Sequence, residues 1–574
     1  MMRYRITLVC LIVSIACPVS SLFGQRILMD DLGYRPADPK IAFVRTSRAS
    51  KIEITELTSN RVVFSTTADS RGSRDLNTGD TLYPVVFTSV RTPGAYRLWI
   101  TGNPAVSREF MIASDVYQPA ALASLQSYYY QRCGTAVSNG TSWQHPPCHM
   151  TDAAFYDDPS KTSVEVGGWH DAGDYGKFVA TGALSAAFLL YLYESQPSQF
   201  SDGQLSIPER NNGVPDLLDE VRWELEWLLK MQREDGGVYH KVSTKKWTGE
   251  YLPNDDPDKR YIFDVSTTAT GSFGAVTALG ARVFARWDPA FADRLLRSSV
   301  KAWQFLDQHP DILPAGGFHN PPDVEGGEYG DPHDADERLW AAVELYRTTS
   351  NEDYHRYFLE HYQSLGGIRY PVSWQQVQNF AYYSYLAAPP KSVNFKAKRF
   401  ILSTLLSYCE ELMQRIEKSG YRFVLKPEEY YWGSNSVALG YAFDLLQAYI
   451  ATGSARYLGG ALDQLHYMLG RNPFAQTFVT GVGMNPVRHP YHQFSMMLHL
   501  DRPVPGMVVG GANMYSRLNG KILSAFPGKC YEDNEKNYFV NEVAINYTAP
   551  FAYVATYISN LDSPHSAGLT TNHH

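Results

Sequence analysis

Leu217-Leu-Asp-Glu-Val-Arg-Trp-Glu-Leu-Glu-Trp-Leu-Leu229 is the stretch that decides the fold class of most of this chain. Leu217, Val221 and Leu225 are each four residues apart, so they share one face of a helix, and most of the charged residues lie off that face. Comparable patterns recur at 117–131, 177–194, 266–286, 288–308, 335–348, 351–364, 373–388, 395–418, 434–452, 454–470 and 541–560. Twelve helices can pair as six hairpins closed into a ring. We therefore predict an all-α barrel over residues 120–562, although periodicity alone permits other all-α arrangements.

Residues 25–112 have a different sequence pattern, in which short runs of alternating apolar and polar residues are separated by turn residues. Ile41–Val44, Ile52–Leu57 and Gly94–Ile100 are examples. Regular short strands of this kind predict a small β-sandwich. We expect residues 113–119 to form the linker to the helical part, and 574 residues are enough for two domains.

The first 24 residues have the layout of a secretory signal peptide. Arg3 and Arg5 precede the apolar run Ile6–Ala16, and small and polar residues follow as far as Gly24. We expect cleavage after Gly24 and export to the periplasm or the medium, with lipid anchoring at Cys17 as the alternative. No later run is long and apolar enough to predict a membrane span. Residues 563–574 are expected to be a flexible tail.

Composition narrows the class of partner. The net charge of −8 and the pI near 6.1 provide no basic footprint, so nucleic acid is not expected as a partner. Aromatic residues make up 13% of the chain, which suits a protein that stacks rings on sugar faces, although a large core accounts for most of them.

Four residues form a candidate metal site: Cys133, Cys148, His149 and His170. Two thiols and two imidazoles match a closed, structural zinc site. A Cys133–Cys148 disulfide is the alternative, because export would permit one. If zinc is bound, His170 would anchor the loop that carries its neighbour, Asp171.

That loop is the glycine-rich segment Val166–Phe178, which carries Asp171 and Asp174. A third acid, Glu542, lies 368 positions after Asp174. Inverting glycoside hydrolysis needs one acid to protonate the departing oxygen and a separate carboxylate to activate water. The alternative is structural, with Asp174 capping a helix that begins near Tyr175 and Glu542 satisfying another helix N-terminus.

Long loops hold much of the polar and aromatic density, which is typical of binding segments. They are residues 243–260, 314–333, 480–507 and 527–539. Gly, Asn, Arg and His are also concentrated between Leu469 and Gln493, which suggests a cleft wall with donors for sugar hydroxyl groups.

In these motifs the chain resembles glycoside hydrolase family 9, the inverting cellulases, and specifically the subgroup with an N-terminal immunoglobulin-like module. The resemblance spans nearly the whole chain outside the leader. It rests on Ile27–Pro36, Gly167–Gly176, Met231–His240, Trp432–Asn435, Gly470–Pro473 and Asn541–Asn546. It implies an immunoglobulin-like β-sandwich followed by an (α/α)6 barrel, acting on β-glucan as a substrate, and we expect a monomer.

The resemblance also implies residue roles. Asp174 falls at the family's general base, Asp171 at the residue that helps to hold the water, and Glu542 at the general acid. It makes the four cysteine and histidine residues resemble the structural zinc set of the subgroup. Calcium is also implied, without assignable ligands. The expected sugar contacts are His240, Trp247, Tyr431, Arg488 and Tyr491.

Two motifs depart from the family pattern. Pro490-Tyr-His-Gln493 replaces Pro-His-x-Arg, which removes a cation and an imidazole that contact sugar. Asn546-Tyr-Thr-Ala-Pro550 replaces Asn-Trp-Asn-Ala-Pro. The expected activity is hydrolysis of β-1,4-glucosidic bonds. The alternatives are altered specificity (xyloglucan, mixed-linkage glucan or exo action on oligosaccharides) and a carbohydrate-binding relative with weak turnover.

Overall fold

The computed structural model describes residues 26–45, 50–68, 72–151, 153–247 and 249–561. The predicted signal peptide with Cys17 and the predicted tail at 563–574 lie outside the described residues. No helix among the described residues is long and apolar enough to cross a membrane.

The N-terminal region forms the expected β-sandwich. Its strands are β1 (Arg26–Leu28), β2 (Gly33–Tyr34), β3 (Ile41–Arg45), β4 (Lys51–Glu56), β5 (Val62–Thr67), β6 (Ser73–Arg74), β7 (Thr81–Val86), β8 (Gly94–Ile100) and β9 (Asn103–Ile112). One sheet has the order β1-β3-β7-β6 and the other β2-β9-β8-β4-β5. Alternate residues such as Ile52, Ile54 and Leu98 are buried in the core, as the period of two requires.

Helices dominate the remainder of the described chain. They are α1 (Gln118–Ser127), α2 (Val179–Ser195), α3 (Asp216–Lys230), α4 (Thr267–Phe284), α5 (Pro289–Gln308), α6 (Ala335–Thr349), α7 (Glu352–His361), α8 (Gln378–Leu386), α9 (Phe395–Lys418), α10 (Ser434–Thr452), α11 (Ala455–Met468), α12 (Gln493–Met497), α13 (Tyr538–Asn541) and α14 (Ile545–Ser559).

Twelve of these helices form two concentric rings, which confirms the predicted barrel. The inner ring is α2, α4, α6, α8, α10 and α14, and the outer ring is α1, α3, α5, α7, α9 and α11. Inner helices such as α2 are apolar on all sides, whereas α3 has the amphipathic pattern of a helix with one solvent face. In the centre, the Phe188 ring lies 4.9 Å from that of Phe380 and 5.0 Å from that of Phe443.

A small sheet at one end of the barrel was not predicted. It joins β10 (Ala154–Phe155), β11 (Lys177–Phe178), β12 (Lys241–Ser243) and β13 (Tyr261–Ile262) in the order β10-β13-β12-β11. Strands of two or three residues are too short to leave a periodic pattern. The sheet matters for the site because β11 continues the glycine-rich loop.

The sandwich is joined to the barrel by buried polar contacts. The Nδ1 atom of His466 on α11 lies 2.8 Å from Oδ2 of Asp30. The Arg35 guanidinium donates to the carbonyl of Ile558, at 2.8 Å. Because these groups are buried, the interface holds the two domains in a defined orientation.

Candidate active site

The glycine-rich loop presents its two aspartates in different environments. Asp174 is partly exposed, and its Oδ1 accepts a hydrogen bond from the Gly176 backbone N–H at 3.1 Å. Asp171 is buried; one carboxylate oxygen accepts from the Tyr329 hydroxyl at 2.6 Å and the other from the Thr181 hydroxyl. Helix α2 begins only at Val179, so Asp174 does not cap it.

Glu542 is nearly buried, at 7% exposure, in the short connection between α13 and α14. The predicted helix over 541–560 begins later, at Ile545, because the backbone of Glu542 is extended and pairs with Tyr491. No side chain caps α14, so Glu542 does not serve its N-terminus. The structural alternative therefore fails for both acids.

Backbone hydrogen bonds join three distant segments around these acids. The Ile545 N–H donates to the Asp171 carbonyl. The Gln493 N–H donates to the Gly173 carbonyl, and the Tyr491 N–H donates to the Asn541 carbonyl. Each of these bonds is 2.8 Å long. Gly173 is required at this junction, because a Cβ there would lie 2.5 Å from the Tyr491 carbonyl oxygen. The fold therefore holds the loops of Asp174 and Glu542 side by side.

The electrostatics separate the roles of the acids. Burial raises the pKa of Glu542 well above its ordinary value, and the charges of Asp174 and Asp171 raise it further. Burial also raises the pKa of Asp174, but the Gly176 N–H and the charges of Arg260 and Lys241 act in the opposite direction. Glu542 is thus the group most disposed to hold a proton, and Asp174 is better placed to stay ionised.

Burial raises the pKa of Asp171 to about 7, although the Thr181 and Tyr329 hydroxyls stabilise its carboxylate. Both oxygens of Asp171 already accept hydrogen bonds from protein. This carboxyl is therefore held rigidly beside Asp174.

The five expected sugar contacts differ in exposure and position. Trp247 is 49% exposed and lines the same pocket as Asp174, while Tyr431 is 44% exposed. His240 is buried, with Nδ1 2.9 Å from the Ser266 hydroxyl and Nε2 2.9 Å from the Glu328 carbonyl oxygen. Both nitrogens of His240 are therefore engaged by protein, and its sugar contact stays a prediction.

Tyr491 and Arg488 belong to the divergent loop. The Tyr491 hydroxyl accepts from Gln493 Nε2 at 3.4 Å, and burial raises the Tyr491 pKa to about 12. The charges of Asp174 and Glu542 also raise this pKa, so the Tyr491 hydroxyl lies near both acids. Arg488 is exposed in a groove next to Pro490.

The four predicted metal ligands come together in one cluster. The ligand atoms of Cys133, Cys148, His149 and His170 all lie within 4.8 Å of one another. A tetrahedral zinc ion would separate such atoms by roughly 3.3–3.8 Å. The observed separations include 3.4 Å between His170 Nε2 and His149 Nδ1 and 3.7 Å between Cys133 Sγ and His149 Nδ1.

Three further features suit a metal at this cluster. Cys133 and Cys148 are free thiols, so the structure does not contain the alternative disulfide. His149 Nε2, on the far side of its ring, lies 3.3 Å from Asp256 Oδ2, the carboxylate partner that metal-binding histidines commonly have. Burial lowers the pKa of His170 to about 3, which keeps its ring neutral and able to bind a metal.

The chain matches the family model described as "Glycosyl hydrolase family 9" over residues 117–555. A second model, "Cellulase N-terminal ig-like domain", matches residues 23–104. This chain belongs to glycosyl hydrolase family 9. It is a glycoside hydrolase with an immunoglobulin-like domain before an (α/α)6 barrel.

Relatives within family 9 cover most of the chain. Endoglucanase D of Acetivibrio thermocellus is 33% identical over 95% of this chain and 85% of its own length. A xyloglucan-specific endo-β-1,4-glucanase of Bacteroides ovatus is 33% identical over 96% of each chain. The crystal structure of a metagenome-derived family 9 endoglucanase superposes with a TM-score of 0.86, at 37% identity over 93% of this chain and 99% of that one.

Sequence reasoning missed several residues of this family 9 site. Tyr329 bonds Asp171, Trp432 lowers the pKa of Glu542 through a hydrogen bond, and the charges of Arg260 and Lys241 act on Asp174. Trp432 begins the motif Trp432–Asn435 on which the resemblance rests, and Tyr329 lies in the predicted binding loop 314–333. Those signals were available, but neither identifies the acid that each residue contacts.

Proposed function

We propose that this protein is an exported hydrolase that cleaves β-1,4-glucosidic bonds with inversion of the anomeric centre. Asp174 is the general base, Asp171 orients the attacking water, and Glu542 is the general acid. The observation that carries the proposal is the pair of acids on adjoining loops whose environments differ: burial and two neighbouring acids raise the pKa of Glu542 well above its ordinary value, whereas the rise that burial causes at Asp174 is opposed by the Gly176 N–H, Arg260 and Lys241.

The reaction needs one proton transfer at each end of the scissile bond. As the water oxygen attacks the anomeric carbon, its proton passes to Asp174. Glu542 gives its proton to the departing glycosidic oxygen, so that a neutral sugar hydroxyl leaves. Exchange with solvent then returns Asp174 to its carboxylate and Glu542 to its acid.

We further infer that zinc is bound by the Cys133, Cys148, His149 and His170 cluster in a structural role. Four protein ligands leave no coordination position for water, so the ion would supply rigidity rather than chemistry. His170 is adjacent to Asp171, which links the ion to the catalytic loop. Calcium stays a prediction without ligands. Among the described residues, the only group of three or more candidate ligands with converging donor atoms is this cluster.

The preferred glucan is the next part of the proposal. Endoglucanase and xyloglucanase relatives both support β-1,4-glucan as the backbone. Tyr491 and Gln493 favour a specificity that differs from that of the cellulases, because a phenol and an amide take the place of an imidazole and a cation. Export rests on the N-terminal leader.

Reducing-sugar release from cellulose, xyloglucan and mixed-linkage glucan tests the assignment. The wild-type protein is expected to hydrolyse at least one of them. Asp174→Asn and Glu542→Gln are expected to lose turnover by about 10³-fold or more while still binding oligosaccharide. A folded wild-type protein that binds glucan without hydrolysing it would instead support a binding protein.

A further inference from the structure

Lys241 on β12 is fully buried without an ion pair. Its Nζ donates to Asn320 Oδ1 and to the carbonyl of Gly327, each at 2.6 Å. No carboxylate of the described part of the chain forms a salt bridge with it. Removing a charged ammonium from water without a contacting counter-charge is unfavourable by several kcal/mol, so the position is not one that folding alone would favour.

Three aromatic rings surround the ammonium. Its Nζ lies 4.6 Å from the ring centroid of Phe263, 5.5 Å from that of Phe178 and 5.6 Å from that of Phe318. The faces of aromatic rings attract cations, and this attraction offsets part of the lost hydration. The rings therefore compensate only in part for burial, which lowers the Lys241 pKa to about 7, so that the side chain is fully charged below neutral pH.

Phe178 connects Lys241 to the pocket of Asp174. Phe178 and Lys241 are partners across the antiparallel strands β11 and β12. Phe178 lines the pocket together with Asp174, Gly326 and Gly327. The ammonium thus lies directly behind the wall of the pocket that holds the proposed base.

The loop that Lys241 binds also contacts Asp171. Asn320 and Gly327 precede Tyr329, whose hydroxyl donates to Asp171 at 2.6 Å. Tyr329 has a left-handed backbone conformation, with φ of 48°, so the loop needs firm support to keep it there. The two bonds from Lys241 supply such support on the side of the loop away from solvent.

We propose that Lys241 is a positioning residue for both aspartates: its ammonium anchors the loop that carries Tyr329 and supplies positive charge that favours the Asp174 carboxylate. The inference deepens the hydrolase assignment and rests on it.

The charges that act on Asp174 make the contribution of Lys241 measurable. The positive groups are Lys241 and Arg260. Asp256 is a negative group, Asp171 and Glu542 add negative charge only when they are ionised, and the neutral Tyr491 hydroxyl also faces the acids. Without Lys241, one of the two positive groups that favour the Asp174 carboxylate is lost. The Asp174 pKa should therefore rise when Lys241 loses its charge.

The test is the pH dependence of kcat/KM on a soluble β-glucan, whose acidic limb reports the ionisation of the free enzyme's base. In Lys241→Met the acidic limb is expected to move to higher pH and kcat to fall about tenfold. Lys241→Arg keeps the charge and should leave the limb near its wild-type position. Asn320→Asp places a negative charge beside the intact ammonium and should also move the limb upward.

Lys40 provides the matched control. It too is fully buried, with Nζ donating to the carbonyls of Pro36 and Asp38 at 2.8 and 3.0 Å, but it lies in the β-sandwich. Lys40→Met should leave the limb unmoved. Unchanged acidic limbs in both Lys241→Met and Asn320→Asp, with hydrolysis retained, would overturn this inference alone. No hydrolysis of any β-glucan by the wild-type protein would overturn the hydrolase assignment together with it.

Discussion

At the scale of single residues, the two aspartates of the glycine-rich loop differ in what holds them. Asp171 has both oxygens engaged by hydroxyl groups, whereas Asp174 has one backbone N–H and a partly open side. A carboxylate that is fully engaged can orient a water but is poorly placed to take its proton. The structure therefore favours Asp174 over Asp171 as the base.

Tyr329→Phe removes one hydroxyl from Asp171 and nothing else. Because that hydrogen bond lowers the Asp171 pKa, its loss should raise the pKa and reduce kcat by roughly 10-fold, with KM nearly unchanged. The measurement is steady-state kinetics on a soluble glucan. Tyr382→Phe is the control, since the Tyr382 hydroxyl bonds the Tyr362 carbonyl elsewhere in the barrel. Equal kcat in the two variants would contradict the role of Tyr329.

At the scale of elements, the glycine-rich loop is held on both sides of its two aspartates. Before them, His170 belongs to the cysteine–histidine cluster. After them, Lys177 and Phe178 enter the small sheet. Between them, Asp171 and Gly173 accept backbone hydrogen bonds from the α14 and α12 segments. The glycines in this loop therefore allow close contacts, and mobility is not their main role.

Removal of the proposed zinc should loosen this loop. We expect about one zinc per chain by elemental analysis, and Cys148→Ser should lose both the metal and most of the activity. Chelation of the wild-type protein should lower Tm. Cys530→Ser removes another buried thiol, which bonds the carbonyls of Ser524 and Phe526, and should keep its zinc. Full zinc content in Cys148→Ser would rule out the cluster as the site.

At the scale of the whole molecule, the β-sandwich stabilises the barrel through a buried polar contact. Asp30 accepts hydrogen bonds from the Leu32 and Gly33 N–H groups, at 2.8 and 3.2 Å, and meets His466 on α11. Asp30 and His466 are buried, and Leu32 is half-buried. This contact therefore contributes to the docking of the two domains, together with the hydrogen bond from Arg35 to Ile558.

Asp30→Ala should leave the Leu32 and Gly33 N–H groups and the buried His466 ring without their partner. We expect a loss of about 3–5 kcal/mol in the free energy of unfolding, measured by urea denaturation. Glu109→Ala is the comparison, because its pair with Arg97 is about half exposed and should contribute less than about 1 kcal/mol. If the two variants were equally stable, the Asp30 contact would not contribute to the docking of the domains.

Local sequence patterns predicted much of this architecture. The spacing of Leu217, Val221 and Leu225 predicted α3, and similar spacing predicted the other barrel helices. The loop motifs made Asp174 and Glu542 candidates, and the resemblance to family 9 supplied their expected roles as base and acid. Tyr329 and Lys241 did not, since their roles come from contacts made only after the barrel closes.

The stereochemistry of the first product tests the central claim most directly. Proton NMR of a soluble β-1,4-glucan, recorded in the first minutes after the enzyme is added, distinguishes the two anomers of the new reducing end. A base and an acid acting on opposite faces of the sugar predict that the α-anomer appears first and the β-anomer grows in only by mutarotation. If the β-anomer appears first, Asp174 and Glu542 do not act as an inverting pair.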